Sequence, residues 1–197
     1  KRVVIAMTDP NPNVSGNGIR KLQNAGIEVT SDVMSAEAGA LNPGFVKRML
    51  TGKPYVRVKQ GISLDGKIAL KNGVSQWITG PEARQDVHKY RAQSCAVLTG
   101  SGTVEADNPS LLVRPSEAKL SAYPLDTLRQ PVRVIVDGQS RLDNHYQCFK
   151  DGFPTYLAST LHHADTKQGQ YIKVNAKGNN VDLSHLMLQL GAMQFNE

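Results

Sequence analysis

The feature that most constrains the fold is a set of short apolar runs separated by helical stretches. Pro131–Asp137 (Pro-Val-Arg-Val-Ile-Val-Asp) and Cys95–Thr99 are too short for helices and read as buried strands. Thr155–Ala158 and Tyr171–Val174 read as two more. Between them lie helical signals. Thr79-Gly80-Pro81-Glu82 matches a capping box, with Thr79 and Glu82 satisfying each other's amides. The helix it opens runs to about Gln93, with Ala83, Val87, Tyr90 and Ser94 inward. Asp182 is placed to cap a helix through Leu183, Leu186, Met187 and Leu190 to Gly191. Strands alternating with helices predict an α/β fold with a largely parallel sheet.

The first fifty residues carry the same alternation on a smaller scale. Val3–Ala6 reads as a strand that runs into a turn-rich loop, Thr8–Asn13. Gly18–Ala25 has helical spacing, and Gly26 is a suitable C′ residue. Ile27–Val29 reads as a strand, and Met34–Leu50 has helical composition interrupted by Asn42-Pro43-Gly44. Thr51-Gly52-Lys53-Pro54 is the clearest break in the chain. It divides the sequence into a segment 1–50, a linker 51–54 and a domain 55–197 that opens on an alternating strand, Tyr55–Lys59. The first residues start inside a strand without an initiating Met, so the chain reads as part of something longer.

Composition narrows the function. A 40% hydrophobic content supports a packed core, and the apolar runs are too short for a membrane helix. Two cysteines, Cys95 and Cys148, build neither a disulfide framework nor a CxxC metal site, which fits a reducing, cytoplasmic compartment. The net charge of +6 favours anionic partners. The basic residues form no block and aromatic interleaving is sparse, so phosphorylated small molecules are favoured over nucleic acid.

Several segments have the character of sites. Cys95–Thr99 empties into Gly100-Ser101-Gly102-Thr103, which is either a tight turn or a place where backbone amides approach a phosphate. Asp107-Asn108-Pro109 follows, as a turn or as an acid facing a ligand. Gly16-Asn17-Gly18 opens a helix, but Lys21 stands where a dinucleotide fingerprint wants glycine. Gly61 interrupts an extended stretch, as close ligand approach requires, and Asp65-Gly66 reads as a turn. Trp77, the single tryptophan, is a core residue or a stacking platform. His88, His145, His162, His163 and His185 show no metal spacing, and no Ser/His/Asp set or Walker loop is present.

Five blocks in order, Val58–Lys67, Ser75–Thr79, Arg91–Ser94, Gly102–Pro109, and Leu111 with Arg114, closely resemble the bifunctional deaminase/reductase family of riboflavin biosynthesis. Asp9-Pro10-Asn11-Pro12, Gly16, Gly18, Leu22 and Ala25-Gly26-Ile27 resemble the closing part of that family's cytidine-deaminase-like domain. The resemblance is clear over 1–141 and weaker beyond. It implies a dihydrofolate-reductase-like α/β reductase domain, incomplete here, preceded by the C-terminal portion of the deaminase domain.

It also implies chemistry. The family deaminates a diaminopyrimidinone ribosylamino-phosphate, then reduces the ribosyl side chain to ribityl with NADPH. Gly61, Trp77, Thr103 and Asp107 match NADPH-contacting positions, and Gly138 falls where a side-chain contact to the cofactor is sometimes found. Ser75, Arg91, Leu111 and Arg114 match substrate-contacting positions, with the two arginines suited to a ribose 5-phosphate. Lys59 is a candidate for orienting the reacting carbon, with a snorkelled strand lysine as the plain alternative, and Asp107 is a second candidate. The deaminase zinc motif has no counterpart: no Cys precedes position 95 and no His precedes position 88. Zinc is therefore implied only for a part of the deaminase domain outside these residues. The expectation is that this chain alone does not turn over substrate. The alternative is a non-catalytic binding protein for phosphorylated ligands or nucleotides. Homo-oligomerisation is a further expectation, since the family is often oligomeric.

Overall fold

The computed structural model describes residues 1–118, 128–161 and 169–197, so His162 and His163 lie outside the described residues. The chain forms two units: Lys1–Val56 together with Met187–Glu197, and Arg57–Leu186.

In the first unit, β1 (Arg2–Val4) and β2 (Glu28–Thr30) pair in parallel, with Val3 opposite Val29. The crossover is α1 (Asn17–Asn24), and Gly26 leaves it at φ +71°, where a side chain would be strained. The expected helical stretch 34–50 is two helices, α2 (Ser35–Leu41) and α3 (Pro43–Thr51). Asn42 breaks them apart and caps the second, its side chain accepting the Phe45 amide, while Pro43 takes the first helical position. The C-terminal residues pack on α3. Asn196 accepts from the Tyr55 amide at 2.8 Å and from Arg48 Nε at 2.6 Å. Gly44 lies against the Asn196 backbone, where a Cβ would come within 2.7 Å of its carbonyl oxygen.

The second unit is built on a four-stranded, all-parallel sheet: β3 (Ala96–Gly100), β4 (Val132–Val136), β5 (Thr155–Ser159) and β6 (Gln170–Lys173), side by side in that order. Leu98 faces Val134 in the register, and Ile135 faces Leu157. A two-stranded hairpin follows, β7 (Ala176–Lys177) and β8 (Asn180–Val181). Flanking helices are α4 (Pro81–Gln93), α5 (Ser101–Asp107) and α6 (Pro115–Ala118). The core on one sheet face gathers Val104 of α5, Ile135, Cys148 and Leu157. A second cluster joins Ala92 of α4 to Val113 and Ala118. Burial pushes the Cys148 thiol above its ordinary range. The last helix, α7 (Leu183–Ala192), starts as expected: Asp182 Oδ1 accepts the Ser184 and His185 amides. The boundary between the two units falls within it.

Four local expectations are corrected. Tyr55–Lys59 forms no strand, and Val58 is 75% exposed. Alternation fits one sheet face, but a strand also needs a neighbouring edge to pair with. The capping box does not form. Pro81 takes the first helical position, so the N-cap is Gly80, and Thr79 is one residue too early. The buried face of α4 is His88 and Ala92, while Ala83 and Tyr90 are exposed. Tyr90 instead stacks under the Arg57 guanidinium, 4.5 Å from its ring centre. Finally, β3 is no core strand: among the described residues it is an edge of the sheet, with Leu98 and Gly100 exposed and none of its residues fully buried.

Candidate functional site

The candidate residues of the second unit fall into three groups. The first is the irregular segment that leads into α4. A turn at Ser63–Lys67 shapes it: the Ser63 amide donates to the Lys67 carbonyl at 2.9 Å, and Gly66 takes φ +76°. Gly61 sits beside Lys59 and Thr79; a Cβ there would meet Lys59 Nζ at 3.7 Å and Thr79 Cγ2 at 3.8 Å. Lys59 is exposed, and Ser75 is half-buried. Trp77 is 68% exposed, which removes the core reading of the single tryptophan. Arg84 of α4 holds this segment. Its Nη1 donates to the Thr79 carbonyl at 2.6 Å, and its guanidinium stacks 4.4 Å from the Trp77 ring centre.

The second group lies where α4 meets the loop before α6. Arg91 donates from Nη1 to the Leu112 carbonyl at 3.1 Å. Leu111 is buried at φ +60°, a left-handed conformation that turns the chain sharply here. Burial, and then the neighbouring Arg114 cation, depress the affinity of Arg91 for its proton. Arg91 is half-buried, and the Arg114 cation adds to the cost of its charge. The loop itself is clamped by Gln130, which accepts from the Val113 amide at 2.7 Å and donates to the Val113 carbonyl at 3.0 Å.

The third group is at the carboxyl end of the sheet, where ligands of open parallel sheets bind. Thr103 and Asp107 are exposed and one turn apart on α5, so they share a face. Asn108 closes α5 at φ +42° and accepts the Gln147 amide at 2.7 Å. Gly138 lies just past β4; a Cβ there would come within 3.1 Å of Val181 Cγ2. Its loop is pinned by Asp137, whose buried carboxylate accepts the amides of Arg141 and Leu142. Arg141 reaches across to Ser101 at 3.0 Å and Glu105 at 3.3 Å, which joins the Gly138 loop to α5.

His88 is the residue that sequence reasoning missed as a contributor. It is 2% exposed, and its Nδ1 accepts the Arg114 amide at 3.2 Å. Nothing in its spacing to other residues announces a partner 26 positions away. Among the described residues, no group of three or more His, Cys, Asp or Glu side chains could hold a metal ion, and no helix is long and apolar enough to cross a membrane.

Residues 54–197 match the family model described as the RibD C-terminal domain. The riboflavin biosynthesis protein RibD of Escherichia coli is 45% identical over 202 residues, covering 99% of this chain and 54% of the relative. The solved structure of Acinetobacter baumannii RibD superposes with a TM-score of 0.84 at 38% identity, over 100% of this chain and 53% of that one. A Thermotoga maritima structure described as a diaminohydroxyphosphoribosylaminopyrimidine deaminase/5-amino-6-(5-phosphoribosylamino)uracil reductase gives 0.82 at 33% identity, over 100% and 52%. The chain spans about half the length of these relatives.

Proposed function

Because the chain belongs to the RibD C-terminal domain family, we propose that its second unit serves the reductase reaction of riboflavin biosynthesis. In that reaction the ribosyl side chain of 5-amino-6-(5-phosphoribosylamino)uracil becomes ribityl. In the whole protein it is coupled to zinc-dependent deamination of the pyrimidine. We read residues 1–50 as the closing part of the deaminase domain, 51–54 as linker and 55–197 as reductase.

The observation that carries this reading is that one helix gathers both arginines: Arg91 donates to the Leu112 carbonyl at 3.1 Å, and His88, on the same helix, accepts the Arg114 amide at 3.2 Å. Partial burial and the Arg114 cation both disfavour the charge on Arg91. Both costs are relieved by a bound dianion, so the arrangement suits the 5-phosphate of the substrate. Ser75 and Leu111 are the further substrate contacts in this reading.

The donor set also suits NADPH. Trp77 has one face against Arg84 and is largely exposed, which leaves ring surface for a flat heterocycle. Gly61, Thr103, Asp107 and Gly138 would hold the rest of the dinucleotide, the last three at the strand ends where such ligands lie. When bound, the cofactor supplies the hydride. The protein's part is to bind, orient and exclude water, and in this reading Lys59 and Asp107 are the candidates for orienting the sugar. A metabolic role of this kind fits a cytoplasmic protein with a small phosphorylated substrate and no nucleic-acid partner.

The test is binding, read by titration calorimetry. Ribose 5-phosphate and NADPH should each bind the protein, and Arg91→Ala should weaken the first and spare the second. Equal loss of both, or no binding of ribose 5-phosphate by the parent protein, overturns the assignment.

A further inference from the structure

Reading Arg91 and Arg114 as phosphate ligands leaves their third charged neighbour without a role. Glu117 lies on α6, and its Oε1 is 2.8 Å from Arg114 Nη1. Its Oε2 is 3.5 Å from Nε2 of His88 on α4. His88 accepts the Arg114 amide through Nδ1, so the neutral ring carries its proton on Nε2, facing Glu117. Burial, then the Arg91 and Arg114 cations, keep that ring below its ordinary pKa, against the opposing pull of Glu117. The neutral tautomer is therefore the one that steadies the carboxylate.

Glu117 meets Arg114 through one oxygen, with the other turned to His88. It thus occupies on Arg114 the charge-assisted contact that a single phosphate oxygen would make. It also lowers the local charge of the two arginines from two positive units to one. We propose that Glu117 is a resident counter-ion of the phosphate subsite, steadied by His88, which an incoming phosphate monoester must displace from Arg114. This rests on the phosphate reading of Arg91 and Arg114. Its consequence is a damped subsite: each anion that uses Arg114 must break the same Glu117 contact, so its apparent affinity falls by the same displacement factor.

The test compares Glu117→Gln with the parent protein, using ribose 5-phosphate and the carboxylate ribonate as probes in titration calorimetry. Both members of the Arg114–Glu117 pair are partly exposed. Removing the carboxylate should therefore tighten ribose 5-phosphate by about two- to fivefold, and ribonate by a similar factor. Glu117→Ala should move affinity in the same direction, which guards against a folding defect in the first variant. If Glu117 only props Arg114 in place, both variants bind more weakly. Unchanged or weaker binding by the variants, with a parent protein that binds and loses binding on Arg91→Ala, overturns this inference alone. Absence of binding by parent and variants overturns the phosphate reading and this inference with it.

Discussion

Arg133 and Asp151 form a two-pronged ion pair in which the arginine is wholly buried: Nη1 is 2.7 Å from Oδ2 and Nη2 is 2.7 Å from Oδ1. The guanidinium also donates to the carbonyls of Ser110 and Phe153. Burial pulls the Asp151 carboxyl upward, but the Arg133 hydrogen bonds and the Phe153 amide hold it below its ordinary range. Asp151→Ala should cost about 3–5 kcal/mol, because it strands a buried cation. The double change Arg133→Met with Asp151→Leu should cost less than Asp151→Ala alone. Urea denaturation followed by circular dichroism checks both.

His88 makes stability depend on pH. Its folded pKa lies below the ordinary 6.5, since burial and the two arginines disfavour the charged ring. Between the folded value and 6.5 the unfolded chain therefore binds more protons, so this contribution is complete above 6.5 and is lost as pH falls. The melting temperature should fall on acidification below 6.5, and His88→Gln should flatten that slope. Parallel slopes in the two proteins would contradict the assignment.

Trp77 is the only tryptophan, so its emission reports on one place. NADPH should quench it in a saturable way by stacking near the indole and by energy transfer. Arg84→Ala, which removes the stacked cation, should weaken the apparent NADPH affinity by a few fold. Emission that does not respond to NADPH would take Trp77 out of the cofactor site.

Arg91→Lys keeps the charge and loses the planar fork. It should bind ribose 5-phosphate more weakly than the parent, while Arg91→Ala should lose about 1.5–3 kcal/mol, the scale of a charged hydrogen bond. Calorimetric affinities that place lysine level with arginine would show that charge alone suffices here.

Gly191 sits inside α7, where alanine would ordinarily favour the helix by about 1 kcal/mol. Here a Cβ would overlap the Gly52 carbonyl oxygen and crowd Lys53. Overpacking wins, so Gly191→Ala should destabilise the protein by about 1–3 kcal/mol in thermal unfolding.

The parts legible in sequence are those set by local chemistry. The run at 131–137 is β4 because β-branched residues favour strands, and Asp182 caps α7 because its side chain reaches amides two and three residues on. What remained illegible depends on distant partners. Arg133 occupies an inward position of β4 as though it were apolar, which becomes intelligible only once Asp151 is seen to meet it. Tyr55–Lys59 alternates like a strand but pairs with no edge. Among the site residues, matching blocks brought Arg91 and Arg114 forward together. Their neighbours His88 and Glu117 remained hidden, because a helix surface does not state which loop will cover it.

The order of the large sheet has a consequence for biosynthesis. β3, β4, β5 and β6 stand side by side in the order in which they are translated. Each strand that leaves the ribosome meets the edge formed by the one before it, and none must be threaded between two already joined. The sheet grows outward by accretion. Among the described residues two edges stay open at each stage, that of β3 and that of the latest strand, and only the latter gains a partner as the chain lengthens.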